Sequence, residues 1–369
     1  METHWMVGLV VVIAAVVFIV SWLSVRHLPA RRAATVPGVP VEVLDARAQR
    51  VAVILNPVKN DADLAREKIR LACTAAGWPE PMVFETTRDD PGHTQTRRAL
   101  EAGADVVLAG GGDGTVRMVT GELAGTNIPF GLVPLGTGNL LARNLGINPG
   151  QLDANILTAL HGADRRIDTA TITLENSVTG SSITESFLVI AGIGLDAQVL
   201  ADTKDDLKRR YGWLAYSEAG VRNLPGKRKK VTISIDDGPV QTRSIRSILF
   251  ANCGKLPAGI DFIPSATVDD GELDIVVMSP RNALGWIRIA AKTLLRHNAR
   301  IPVIDYYRGR KVMVTAHEPM GTQLDGDLSG DVTSLTVQVR PSALSVRVDP
   351  QTLANVGAAT AQDRRTDLA

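Results

Sequence analysis

The sequence predicts an α/β domain followed by a mainly antiparallel all-β domain, with one transmembrane helix in front of both. Three observations carry this. Apolar runs alternate with helical stretches from Val51 to Val133. After about residue 166 the spacing changes to short strands with few helices between them. Met6 to Val25 carries no charged residue.

Met6 to Val25 reads MVGLVVVIAAVVFIVSWLSV. A helix of that length rises about 30 Å, the thickness of a bilayer's hydrocarbon core. Trp5 and Trp22 stand near its ends, where indole rings favour the headgroup boundary. Arg26, His27, Arg31 and Arg32 follow it, whereas only Glu2 precedes it, so the positive-inside bias predicts a single-pass protein of the cell membrane with the later domains cytoplasmic. A signal peptide would carry Lys or Arg before the apolar stretch, and a core helix at an extreme terminus would have little protein around it. Pro29, Pro37 and Pro40 make residues 26–50 a linker.

The first domain is expected over 51–165. Val51 to Leu55 is a continuous apolar run, as in a buried parallel strand. Asp61 to Ala76 has helical spacing and ends at Gly77, a C-cap. Pro81 to Glu85 is a second strand, followed by a helical stretch to Ala102. Asp105 to Ala109 is a third strand, Thr115 to Ala124 a helix, and Pro129 to Val133 a fourth strand. Such a βαβα order argues for a parallel sheet with helices on both faces. The second domain, a β-sandwich over 166–339, is read from strands at Arg166–Leu174, Ser186–Ile190, Lys230–Ile235, Arg243–Ala251, Glu272–Met278, Lys311–Thr315 and Ser334–Val339, with Leu344–Val348 continuing the series. Residues 356–369 form a tail.

Composition excludes several classes. The 369 residues hold 40 Lys+Arg against 39 Asp+Glu, which lacks the basic signature of a dedicated nucleic-acid binder. Cys73 and Cys253 are too few for a disulfide framework or a cysteine-rich zinc site. His4, His27, His93, His161, His297 and His317 show no zinc spacing.

The glycine-rich elements carry the chemistry. Gly110 to Met118 (GGGDGTVRM) lies between a strand and a helix, where glycines let backbone N–H groups approach phosphate oxygens. Asp113 within it would repel phosphate unless it holds a metal ion or accepts a hydroxyl proton, a combination suited to phosphoryl transfer. No GxxxxGK[ST] run is present, and no GxGxxG with a ribose-binding acid, so neither a P-loop nor a dinucleotide oxidoreductase is supported. Pro134 to Asn139 (PLGTGN) follows the next strand, and Asn56 to Asn60 (NPVKN) follows the first. In open parallel sheets ligands bind outside the carboxyl ends of strands, so the three loops converge on one site.

NPVKN, GGGDGT and PLGTGN-LLARNLG, in this order and spacing, resemble the diacylglycerol kinase catalytic-domain family, which includes bacterial diacylglycerol kinases, sphingosine and ceramide kinases and bacterial multi-substrate lipid kinases. The resemblance continues through Phe187–Val199, Pro264–Ile275 and QLDGD at Gln323–Asp327, and covers roughly residues 50 to 350. It implies an NAD-kinase-like α/β nucleotide domain, a β-sandwich lipid domain, and a last strand region, about 340–355, that returns to the first domain. It also implies a cleft holding ATP and Mg²⁺. The nucleotide site carried over comprises Asn56, Pro57, Val58, Lys59, Asn60, Thr87, Gly112, Asp113, Gly114, Thr115, Val116, Arg117, Met118, Gly136, Thr137, Gly138 and Asn139. Thr87 stands in TTRDDPGH, one residue longer than the family spacing.

By the same resemblance Asp270 holds Mg²⁺ with backbone carbonyls near Thr267 and Glu272, while Asp269 caps a turn. Magnesium prefers such oxygen ligands and keeps several waters. The family's Asp-Gly-Glu element, whose Glu is assigned as general base, reads DGD here, so Asp327 is one methylene shorter. Either Asp327 or Asp113 then accepts the proton, with Asp327 preferred.

Lys204 to Lys230 carries nine Lys or Arg against three acids, interleaved with Tyr211, Trp213, Leu214 and Tyr216, and suits contact with a surface of anionic lipids. Asn282 to Asn298 is a helix that packs in the second domain. The reading is an ATP- and Mg²⁺-dependent kinase acting on a hydroxyl of a diacylglycerol-like or sphingoid-like membrane lipid, with no nucleic-acid partner and a homodimer left open. The alternatives are an NAD kinase and a non-catalytic lipid-binding regulator.

Overall fold

The computed structural model describes residues 48–176, 179–194, 228–255, 263, 266–282, 285–286, 288–289 and 301–351. The stretch 6–25, nearly all of the linker 26–50, most of the basic region with its four interleaved residues, and the tail 356–369 lie outside the described residues. Among the described residues no helix is long and apolar enough to cross a membrane. The expected single-pass placement in the cell membrane is therefore not supported.

The first part is doubly wound. Strands β1 (Val51–Leu55), β2 (Met82–Glu85), β3 (Val106–Gly111) and β4 (Phe130–Pro134) pair in parallel in the order β2-β1-β3-β4. All five β1 residues are buried because helices cover both faces. Val51, Val53 and Leu55 pack with Ala62, Ala65, Ile69 and Cys73 of α1 (Ala62–Ala75) and with Ile156, Ala159 and Leu160 of α5 (Leu152–His161). Ala52 and Ile54 face the other way, toward Ala99 of α2 (His93–Glu101), Val116, Val119 and Leu123 of α3 (Asp113–Leu123) and Leu140 and Leu141 of α4 (Leu140–Asn144). Burying each such Val, Leu or Ile contributes roughly 1.5–3 kcal/mol. Helix α1 stops at Gly77, whose φ of +69° is the left-handed conformation a C-cap needs.

The second part is antiparallel and forms one continuous sheet with the first. It comprises β5 (Ala163–Asn176), β6 (Ser181–Phe187), β7 (Ile190–Gly194), β8 (Lys229–Ile235), β9 (Gln241–Ile245), β10 (Ser247–Ala251), β11 (Leu273–Met278), β12 (Ile304–Gly309), β13 (Lys311–Leu324) and β14 (Asp327–Val348). The order is β12-β11-β10-β7-β13-β14, with β5–β6 on β14 and β8–β9 on β13. Inward side chains such as Phe187, Phe250, Ile275, Val314 and Leu335 fill a separate core. β14 runs along β13 and β5, then pairs in parallel with β4 at Val346–Phe130.

Several elements differ from expectation. The strand expected over Ser186–Ile190 is split into β6 and β7, because the Leu188, Val189 and Ile190 N–H groups all donate to the Asp325 carboxylate. Arg243–Ala251 is likewise split, and the strands expected at Ser334–Val339 and Leu344–Val348 are one. Of the helix expected at Asn282–Asn298 only part is described; there Ile289 is buried and Trp286 packs against a core that holds Leu249, Val276 and Met278 of the second part together with residues of the first.

Candidate functional site

Three loops meet at the carboxyl ends of β1, β3 and β4. After β1, the Asn56 N–H donates to the Gly110 carbonyl at 2.8 Å, and the Val58 N–H donates to Asn56 Oδ1 at 3.3 Å. This turn leaves Pro57, Val58 and Asn60 exposed and brings Lys59 back over the sheet edge. A Cβ built on Gly112 would stand 3.6 Å from the Lys59 Nζ and 3.4 Å from the Gly136 Cα. A Cβ on Gly136 would come within 2.6 Å of the Gly112 Cα, which backbone cannot yield. The two loops touch through bare backbone, and at Gly136 only glycine permits it. Lys59 makes no ion pair among the described residues.

Asp113 ties the loops together. Its carboxylate accepts the Asn139 N–H at 2.9 Å and the Leu140 N–H at 2.6 Å, at the start of α4. Asn139 has a φ of +48° and closes the loop on Gly136, donating to the Gly136 carbonyl at 2.6 Å. Gly138 must lack a Cβ because one would lie 2.4 Å from Asp113 Oδ2. Burial pushes the Asp113 carboxyl above the usual carboxylate range, against the pull of the Leu140 and Asn139 N–H groups, and the Asp327 charge adds to the rise. Thr137 is exposed at the loop tip.

Asp327 reaches the same place from the second part. Asp325 and Gly326, at φ +47° and +96°, form the two-residue turn between β13 and β14, with Leu324 paired to Asp327. Positive φ at both positions is the geometry that suits a right-twisted hairpin, and Asp-Gly supplies it. The buried Asp325 locks the turn: its carboxylate accepts the N–H groups of Leu188, Val189 and Ile190, and its own N–H donates to the Ile190 carbonyl at 2.8 Å. Asp327 then lies over the glycine loop, its Oδ2 3.5 Å from where a Gly114 Cβ would be. Its side chain is 58% exposed.

The remaining motif residues are placed differently. Thr115 and Val116 are buried, Thr115 against Gly111 and Val116 in the first core. Met118 packs near Gly92. Arg117 is buried, and its guanidinium is engaged by Glu185 at 2.8 Å and Asp327 at 3.1 Å. Thr115, Val116 and Arg117 are thus turned into the protein, whereas Pro57, Val58, Asn60 and Thr137 lie on the surface. Thr87 is exposed beyond β2, accepting the Asp90 N–H at 3.1 Å. Sequence reasoning missed Glu185 and Asp325.

Asp270 is not brought to Asp113 and Asp327. Its loop is tied to Ser342, near the opposite end of β14 from Asp327, because Asp168 accepts the Gly271 N–H at 2.6 Å and the Ser342 N–H at 2.7 Å. Asp269 pairs with Arg165 at 2.7 Å. Asp270 accepts from the Thr267 hydroxyl at 2.8 Å and the Glu272 N–H at 3.0 Å, and forms an ion pair with Arg308. Arg308 also lies 3.4 Å from Glu272 and 3.8 Å from Asp274. Among the described residues no group of three or more His, Cys, Asp or Glu is placed to hold a metal. The oxygen donors suit Mg²⁺ in kind, but the Arg308 guanidinium occupies the Asp270 carboxylate. As arranged, the Asp270 carboxylate is paired with Arg308 and does not fit a bound ion.

Comparison with known proteins bears on the whole of this region. The profile of the "Diacylglycerol kinase catalytic domain" matches residues 50–172, and that of the "YegS C-terminal NAD kinase beta sandwich-like domain" matches residues 189–348. A Pseudomonas fluorescens protein described as "Probable lipid kinase YegS-like" is 31% identical over 76% of this chain and 91% of its own length. A Bacillus subtilis diacylglycerol kinase is 28% identical over 76% of this chain and 91% of its own. The crystal structure of a Bacillus anthracis diacylglycerol kinase matches 82% of this chain and 98% of that one, with a TM-score of 0.60 and 22% identity, which supports the same two-part fold. The chain belongs to the diacylglycerol kinase catalytic-domain family and is a kinase.

Proposed function

We propose that the chain transfers the γ-phosphoryl group of ATP to a hydroxyl of a diacylglycerol-like or sphingoid-like lipid, with Asp327 as the proton acceptor. The observation that carries this is the meeting of Asp327 with the glycine loops beside Lys59. The bare backbone of Gly112 and Gly136 leaves room for phosphate oxygens, and Lys59 supplies positive charge there. Between the two acids the hydrogen bonds favour Asp327. Both Asp113 oxygens are taken by N–H groups, whereas Asp327 has Oδ2 on Arg117 and no hydrogen bond to Oδ1 among the described residues. On this reading Asp113 braces the loops and Asp327 is the base.

In the transfer, the proton of the lipid hydroxyl passes to Asp327 as its oxygen forms a bond to the γ-phosphorus. The bond from that phosphorus to the β–γ bridging oxygen breaks, and ADP leaves. Mg²⁺ is proposed as the counter-ion that enters with ATP and offsets phosphate charge, not as a ligand of Asp270. Little bond chemistry falls to the protein; its work is positioning.

The full chain incubated with γ-labelled ATP, Mg²⁺ and, separately, micelles of diacylglycerol, sphingosine and ceramide, and with NAD, tests this. The expected result is label in a lipid product. Label in NAD alone would replace the lipid reading, and ATP binding without transfer to any acceptor would make the chain non-catalytic.

A further inference from the structure

Arg117 is an unusual residue to bury beside a reaction site. It lies on α3, one turn past the glycine loop, and is 7% exposed. One arm, Nη1, donates to Glu185 Oε2 at 2.8 Å, and the other, Nη2, donates to Asp327 Oδ2 at 3.1 Å. These two carboxylates come from different strands, β6 and β14, so the guanidinium joins three elements that share no local sequence. The approach of α3 to β6 is close: a Cβ on Gly121, one helical turn beyond Arg117, would stand 3.6 Å from the Ser186 Cβ.

We infer that Glu185 and Arg117 form a positioning relay that aims Asp327. This rests on the reading of Asp327 as the base. An aspartate is one methylene shorter than glutamate, so its oxygen must be delivered by the backbone and held without slack. The Asp325 turn delivers it, and Arg117 holds one oxygen, Oδ2, leaving Oδ1 to the acceptor. A guanidinium with a single carboxylate partner could swing along its own stem. Glu185 removes that freedom by occupying the other arm, and its side chain, 31% exposed, forms the outer end of the relay. Arg117 thereby acts through Asp327 and touches neither nucleotide nor lipid.

Steady-state kinetics with γ-labelled ATP and dioctanoylglycerol micelles, alongside thermal melting, tests the relay in Glu185→Gln, Arg117→Met, Arg117→Lys and Asp327→Asn. Glu185→Gln is expected to lower kcat about tenfold with KM for ATP within about twofold, since lost aim is felt in the transition state and not in nucleotide binding. Arg117→Met is expected to lower kcat further, and Arg117→Lys to recover part of it, with all variants still melting cooperatively. A rise in KM for ATP at unchanged kcat would make Arg117 a nucleotide contact and overturn the relay. So would unchanged kinetics in Glu185→Gln beside an inactive Asp327→Asn, even if melting falls, because that is a purely structural ion pair. Full turnover in Asp327→Asn overturns the base and the relay together, as does a wild-type chain that labels no lipid.

Discussion

At Asp325 two forces oppose each other. Burial penalises its charge, while three N–H groups favour it, and burial is the larger, so the folded carboxyl titrates above its ordinary value. Between the unfolded and folded values the folded state holds more protons. The group's contribution to stability is therefore greatest in acid and is lost as pH rises through that window. Asp325→Asn removes the titration but turns an NH₂ toward one of the N–H donors, which costs about 1–3 kcal/mol. Urea denaturation should place Asp325→Asn below wild type near pH 4, with the gap narrowing toward neutrality; a gap that widens with pH would mean that the N–H bonds dominate. The same residues show what a sequence displays. Gly136 and Asp113 are legible because close backbone approach at Gly136 tolerates only glycine, and because an acid in a glycine-rich loop is conspicuous. Asp325 reads as an ordinary turn residue, since its three donors lie far away in the chain at Leu188 to Ile190. Glu185 sits in a polar outer strand, SSITESF, where nothing marks it. The capture of Asp270 by Arg308 depends on the cross-strand pairing of Arg308 with Asp274, which no spacing reveals.

Element boundaries follow the same division. The parallel strands are readable because burial on both faces demands unbroken apolar runs such as VAVIL. β12, IDYYRG, escapes notice because only its end residues, Ile304 and Gly309, are buried, so it carries no apolar alternation. The two strands expected at Ser334–Val339 and Leu344–Val348 are joined by Arg340 to Ala343, where the register against β5 shifts and Ser342 takes a φ of +49°. Pro341 suggests a break in sequence, but Asp168 holds the Ser342 N–H and lets the strand continue. Past this shift Leu344, Val346 and Val348 enter the first core, so β14 fastens the sandwich to the parallel sheet. Leu344→Ala should cost about 2–5 kcal/mol and lower the melting temperature by several degrees, whereas Leu328→Ala, at an exposed site on the same strand, should change stability by less than about 0.5 kcal/mol. Equal effects would mean that β14 does not carry the junction.

Across the whole molecule the site is built by closure of a distant contact. Lys59 and the glycine loops come from the parallel sheet, and Asp327 from the hairpin of the antiparallel part; the continuous sheet brings them together. Near-neutral net charge hides this arrangement, because it sums an uncharged N-terminal stretch, a basic region and the acids of the site. The central claim is that Asp327, not Asp113, takes the acceptor's proton. The direct measurement is turnover of ATP with the lipid acceptor by Asp327→Asn, with ATP affinity measured by calorimetry on the same protein. Loss of turnover by about a hundredfold or more, with ATP affinity unchanged, is the result expected of a missing base. Full turnover in Asp327→Asn, with activity abolished in a folded Asp113→Asn, would contradict it.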